Sequence, residues 1–146
     1  MKITVAKALK EKSRLVGRIN NLMNVIGKEN AKVEGSSRSI DVRELQSETM
    51  ECMERLITVK GAIAVANHPV VAQIVELEEI KSMLSKLDKI NTDDTPKHGY
   101  GMNKEQTINV VINAADILLQ KQRLQERADA LQDKLDEFNV RAIVEI

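Results

Sequence analysis

Apolar residues recur along two stretches of the chain at the spacing of a coiled-coil seam. Val42, Leu45, Thr49, Cys52, Leu56, Val59, Ile63 and Ala66 follow one another at intervals alternating three and four, and so do Ile117, Lys121, Leu124, Ala128, Leu131, Leu135 and Phe138. In the second set only Lys121 is out of character. A stripe at 3.5-residue spacing asks a helix to lie against another helix. The chain is therefore expected to be mainly α, a long-helix coiled coil or bundle, organised as one helical domain over residues 1–146.

Four helices and a small β element follow from the same pattern. Helix 1 is expected over about residues 5–32, with three columns repeating by seven: Ala8, Leu15 and Leu22; Leu9, Val16 and Met23; Ile19 and Ile26. Three adjacent columns ask for more than one neighbour or a wide buried face. Gly35 suits a helix stop. Asp41, with Glu44 three residues on, has the spacing of a capping box and opens helix 2, residues 42–66. Asn67-His68-Pro69 then interrupts, because proline lacks an amide donor and disfavours helix at the residue before it. Helix 3, over about 70–90, carries Val70, Ile74, Leu77, Ile80, Leu84 and Leu87 on one face. It forms either a hairpin or one kinked rod with helix 2. Helix 4 runs over about 114–138 with Asn113 as its cap. The β-branched run TINVVI at 107–112 and VRAIVEI at 140–146 read as short strands, which flank helix 4 and pair in parallel or across a subunit boundary.

Composition narrows the kind of core available. One Tyr, one Phe and no Trp leave aliphatic stripes to do the packing. Such seams stay exposed unless paired, so a homo-oligomer, a dimer or larger, is expected. Cys52 falls on the seam as the lone cysteine; that excludes an intramolecular disulfide and fits a reducing, cytoplasmic setting. No run approaches the ~20 apolar residues of a membrane span, and the N-terminal MKITVAKALKEK lacks the apolar core of a signal peptide.

Lys plus Arg balance Asp plus Glu at 22 each, but unevenly. Residues 1–33 carry eight bases and two acids, a net of +6, while residues from 105 onward are net −3. Either a basic helix lies beside acidic ones and sets their pairing, or it offers a surface to an anion. Nucleic acid is disfavoured by the zero total charge and the scarcity of stacking aromatics.

No chemistry assembles from the motifs. There is no phosphate loop, nucleophile elbow, Cys-x-x-Cys or His-Glu-x-x-His. His68 and His98 share no helical spacing with a carboxylate, and Asp93-Asp94 supplies too few ligands for a calcium cage. Catalytic residues, metal and cofactor are all read as none. For recognition the best candidate is the loop Lys97-His98-Gly99-Tyr100-Gly101, where two glycines let backbone approach a ligand, Tyr100 offers a stacking face, and Lys97 and His98 supply donors. A second is the polar turn around Lys28 and Asn30. With Arg18, Asn67 and His68 these make the candidate ligand-binding set.

VAKALKEKSRLVGRI, the Lys28-Glu29-Asn30 turn, Ser39-Ile40-Asp41-Val42, AIAVAN ending at Asn67, HGYG at 98–101 and ALQDKLDEFN at 130–139 resemble a family of small, septicolysin-like coiled-coil proteins of bacterial and phage genomes. The resemblance covers nearly the whole chain. It implies a helical hairpin with a minor strand element and self-association, and it supplies no catalytic residues; the ending, Arg141–Ile146, is less Thr-rich than that family's. Two functions follow as expectations. One is a non-enzymatic oligomer that sequesters a small anionic, nucleotide-like ligand, in the manner of a phage anti-defence sponge. The other is a structural or adaptor coiled coil whose ligand is another protein.

Overall fold

A computed structural model describes residues 1–98 and 105–146, and of positions 98 and 105 the backbone alone. The order of elements is β1 (Lys2–Thr4), α1 (Val5–Glu29), α2 (Val42–Ala66), a 3₁₀ turn at His68–Val70, α3 (Val71–Leu87), β2 (Lys97–His98), β3 (Glu105–Gln106), α4 (Ala114–Arg141) and β4 (Ile143–Glu145). The protein is mainly α, and the described residues form four α-helices and two small antiparallel sheets, β1–β4 and β2–β3. Among the described residues no helix is long and apolar enough to cross a membrane. Two compact units divide the chain: Met1–Val70 with Asp136–Ile146, and Val71–Leu135.

The first unit is an antiparallel pair, α1 against α2, closed at one end by the β1–β4 ladder. The direction follows from its ion pairs, since Glu11 meets Arg55 and Arg18 meets Glu48, so that partners fall later on one helix as they fall earlier on the other. Val5, Ala8, Leu15, Val59, Ile63 and Val144 form the core, with Cys52, Leu56 and Phe138 partly buried against it. Every position of the α2 seam is buried or half-buried. Of the three columns on α1, Ala8, Leu15 and Leu22 are buried, Ile19 and Ile26 are half-buried, and Val16 and Met23 face out. One partner helix covers about one stripe, so the wide face is only partly used.

The ends of these helices follow local chemistry. Thr4 caps α1, its Oγ1 accepting the Lys7 amide at 3.3 Å. Asp41 caps α2, its Oδ1 accepting the amides of Arg43 and Glu44 at 2.9 and 3.2 Å. Helix α1 stops at Glu29, three residues short of its expected end. Residues 31–40 are all exposed, so nothing repays further winding, and Gly35 with φ of +85° turns the connecting segment later on.

In the second unit α3 and α4 pair antiparallel. Glu76, early in α3, meets Arg127, and Asp88, just past its end, meets Lys121, near the start of α4. Leu77, Ile80 and Leu87 are buried, as are Ile117, Ala128, Leu131 and Leu135. Lys121, the odd member of its heptad, holds that place by turning its ammonium to Asp88.

The strands depart from the expected positions. Thr107–Ile112 forms no strand: the residues there are irregular, and Val111 is 87 % exposed. A β-branched run needs an edge to pair with, and the nearby edge, β2, is taken by Glu105–Gln106. At the C-terminal side α4 continues to Arg141, held by the Ala142 amide bonding to Phe138 O at 2.8 Å, and β4 is confined to Ile143–Glu145. Its partner is β1, antiparallel, with Lys2 opposite Glu145, Ile3 opposite Val144 and Thr4 opposite Ile143.

Candidate functional site

The turn between α1 and α2 carries a cavity of about 390 Å³ lined by Asn30, Arg38, Ile40, Asp41, Val42, Arg43 and Gln46. Three local events build it. The α1 helix ends with the Asn30 amide bonded to Ile26 O at 2.9 Å, leaving the carbonyls of Glu29 and Asn30 without helical donors. Arg38 folds back to supply them, Nε to Glu29 O at 3.2 Å and Nη2 to Asn30 O at 2.8 Å. Asp41 then starts α2, projecting Arg43 and Gln46 from its first turns.

The electrostatics of the cavity are set by two guanidinium groups and one carboxylate. Asp41 is committed to the first amides of α2, so that helix end has little capacity left for a second anion. An anion here would be held by side chains, the Arg38 and Arg43 guanidiniums with the Asn30 and Gln46 amides. Lys28 and Lys32 lie nearby on the last turn of α1 and just beyond it; Lys28 is exposed, and Lys32 pairs with Glu29 at 2.5 Å.

Within the first unit, the residues read from the sequence as part of one ligand-binding set do not meet in one chain. Asn30 lines the cavity. Arg18 is spent on Glu48, Nε to Oε1 at 2.7 Å, farther along the hairpin. Asn67 caps the other end of α2, its amide bonded to Ile63 O at 2.9 Å, and His68 follows, exposed in the 3₁₀ turn. Lys28 and Asn67 thus stand at opposite ends of the α1–α2 pair, some ~35 Å apart at 1.5 Å per residue. Polar turn residues look alike in sequence whichever end of a helix they serve. Asn67 keeps one unusual feature, a buried Oδ1 with no hydrogen-bond partner. Lys97 is exposed in β2. Tyr100, Gly99 and Gly101 lie outside the described residues, as does the side chain of His98.

Arg38, Arg43 and Gln46 were not among the candidates. Arg43 did leave a signal: a cation in the first turn opposes the helix dipole, and a residue that pays that penalty invites a reason. Arg38 left less, being one polar residue in a polar connector.

The second unit offers a cavity of about 450 Å³ lined by Thr92, Asp94, Ile108, Val110, Asn113, Ala114 and Ala115. Asp94 is its charged group, and the α4 start beside it is closed by Asn113 and Asp116 bonding to each other's amides at 2.9 and 3.2 Å. Its side-chain donors, the Thr92 hydroxyl and the Asn113 amide, are neutral, and no cation is among the residues that line it. Asp93 is held below the usual carboxylate range by hydrogen bonds from Thr95, first from its hydroxyl and then from its amide at 2.9 Å. Among the described residues no group of three or more His, Cys, Asp or Glu is placed to hold a metal ion.

Compared with protein-family models, curated proteins and solved structures, the chain gives no match.

Proposed function

We propose that the protein is a non-enzymatic helical oligomer of the cytoplasm that binds, and by binding sequesters, a small anionic, nucleotide-like molecule at the turn between α1 and α2. The cavity carries this reading: its volume falls in the range of small-molecule sites, and it gathers Arg38 and Arg43 with two side-chain amides in a protein of zero net charge. Guanidinium groups suit phosphate because their planar donors match its oxygens two at a time. Sequestration needs no nucleophile or base, and the one carboxylate of the site, Asp41, is engaged by the first amides of α2. The family resemblance points the same way, toward a self-associating helical protein without catalytic residues.

The test is a thermal-shift screen with cyclic dinucleotides, cyclic mononucleotides and ADP-ribose. A ligand at a hundredfold excess over its Kd stabilises the fold by ~2.7 kcal/mol, and it should be recovered intact after heat denaturation. Arg43→Gln should abolish the shift and leave helicity unchanged. A screen without a hit, or recovery of a cleaved product, would sink this reading.

The second reading, a structural or adaptor protein, is favoured by one observation. Ile57, Val65 and Ile143 are large, apolar and more than half exposed, and all three line a single groove. A foreign protein recovered stoichiometrically on that face, together with a silent ligand screen, would favour it.

A further inference from the structure

Among the described residues the β1–β4 ladder leaves one edge of β4 open, and its hydrogen-bond pattern defines what that edge offers. The Ile146 amide donates to Met1 O at 3.0 Å and the Val5 amide to Ala142 O at 2.9 Å, with Ile3 set opposite Val144. Antiparallel strands exchange bonds at alternate residues. The carbonyl of Ala142 and the N–H and C=O of Val144 and Ile146 therefore turn toward β1, and Ile143 and Glu145 turn theirs away. Beside β4 lies a groove of about 480 Å³, walled by β4 itself and by Ile57, Gly61, Ala62 and Val65 of α2. Ile57, Val65 and Ile143 are 56, 78 and 57 % exposed.

We infer that this edge and groove take a second copy of the chain, β4 pairing antiparallel with β4 about a two-fold axis at Val144. The pattern is self-complementary. With Val144 opposite the partner's Val144, each Ile143 meets the partner's Glu145, and the four outward donors and acceptors on each side exchange four hydrogen bonds. On the face toward the helices the central row becomes Ile3, Val144 and their two symmetry mates, all apolar and continuous with the core to which Val144 already belongs. On the outer face each Glu145 lies between its own Lys2 and the partner's Ile143, so no like charges are opposed. Beneath the resulting four-stranded sheet the α2 faces of the two copies approach at Gly61, which lacks the side chain that would hold them apart. Pairing also covers an edge that would otherwise invite aggregation.

This interface rests on the self-association in the proposed function and not on its ligand. Native mass spectrometry and hydrogen exchange test it. Wild-type protein at tens of micromolar should show twice the chain mass, with the Ile143 and Glu145 amides protected from exchange. Gly61→Lys suits the single chain, since a Cβ there meets nothing within 4 Å, but fills the groove; it should weaken the dimer at least ~tenfold and free those two amides while Val144 stays protected. Glu145→Pro removes an outward donor from an edge strand, where proline is tolerated, and should likewise weaken the dimer and free the Ile143 amide, with helicity unchanged. Assembly undiminished in both variants would overturn the interface and leave the proposed function standing. A monomeric wild type would overturn the interface and the oligomer together, and Ile143 and Glu145 amides protected only on adding another protein would assign the edge to a foreign strand.

Discussion

The carboxylate of Glu11 sits between two guanidinium groups, bonded to Arg14 Nε and Nη2 at 2.8 Å on its own helix and 3.6 Å from Arg55 Nε across the α1–α2 pair. The Arg14 hydrogen bonds, with a smaller contribution from Arg55, hold Glu11 below its ordinary pKa of 4.5. A carboxyl depressed in the folded state adds stability that is fully present above its unfolded value and lost as pH falls through the folded one. The Tm of the wild type should therefore exceed that of Glu11→Gln at pH 7, and the gap should close below pH 4.5 as the carboxylate takes up its proton. The gap should be small, on the scale of exposed ion pairs. Melting curves at pH 7 and at pH 3 check it, and a gap that widens in acid would contradict the assignment.

Two neighbours on α1 should respond oppositely to truncation. Leu15 is 2 % exposed in the core of the first unit, and Val16 beside it is 38 % exposed. Leu15→Ala should cost ~2–5 kcal/mol, the transfer of its methyl groups plus the cavity left behind. Val16→Ala should change stability by no more than ~0.5 kcal/mol. Urea titrations of both variants decide the matter, and equal costs would mean that the outer column of α1 is buried too.

These two positions also mark how far the sequence could be read. Leu15 and Val16 belong to parallel seven-residue columns, and periodicity does not say which column has a partner. That depends on how many helices come to lie against α1. Helix α2 was legible end to end because one seam, one capping Asp41 and the Asn67-His68-Pro69 break all agreed. The strands were legible only in part, because a strand exists only through its partner: β4 falls inside the expected 140–146, but its partner β1 is Lys2-Ile3-Thr4, too short for alternation to register and separated from it by 138 or more residues. The candidate site was legible only at Asn30. Its other donors, Arg38 and Arg43, are brought to the cavity by a connector that folds back on α1, and nothing periodic marks such a fold.

The start of α4 should prove locally important. Asn113 Oδ1 accepts the Asp116 amide at 2.9 Å, and Asp116 Oδ2 accepts the Asn113 amide at 3.2 Å, so each satisfies a donor that the helix leaves open. Asn113→Ala removes one of these bonds and should cost ~0.5–2 kcal/mol. The loss belongs to the second unit. Hydrogen exchange should therefore speed up in the first turns of α4 while the amides around Val5, Val59 and Ile63 keep their protection. Uniformly faster exchange would show that the two units unfold only together.

Cys52 provides a chemical probe of the α2 seam. It lies on the face that carries Thr49, Leu56 and Val59, and packs half-buried against the core of the first unit. A thiol reacts as the thiolate, and only when a reagent can reach it. Helix packing restricts that approach, so native Cys52 should label several-fold more slowly with a bulky disulfide reagent than the same protein in denaturant. Leu56→Ala opens space one turn along the seam and should raise the native rate toward the unfolded one. Reversing the order, with Cys52 labelling at the unfolded rate in the native protein and Leu56→Ala without effect, would mean that this seam faces water.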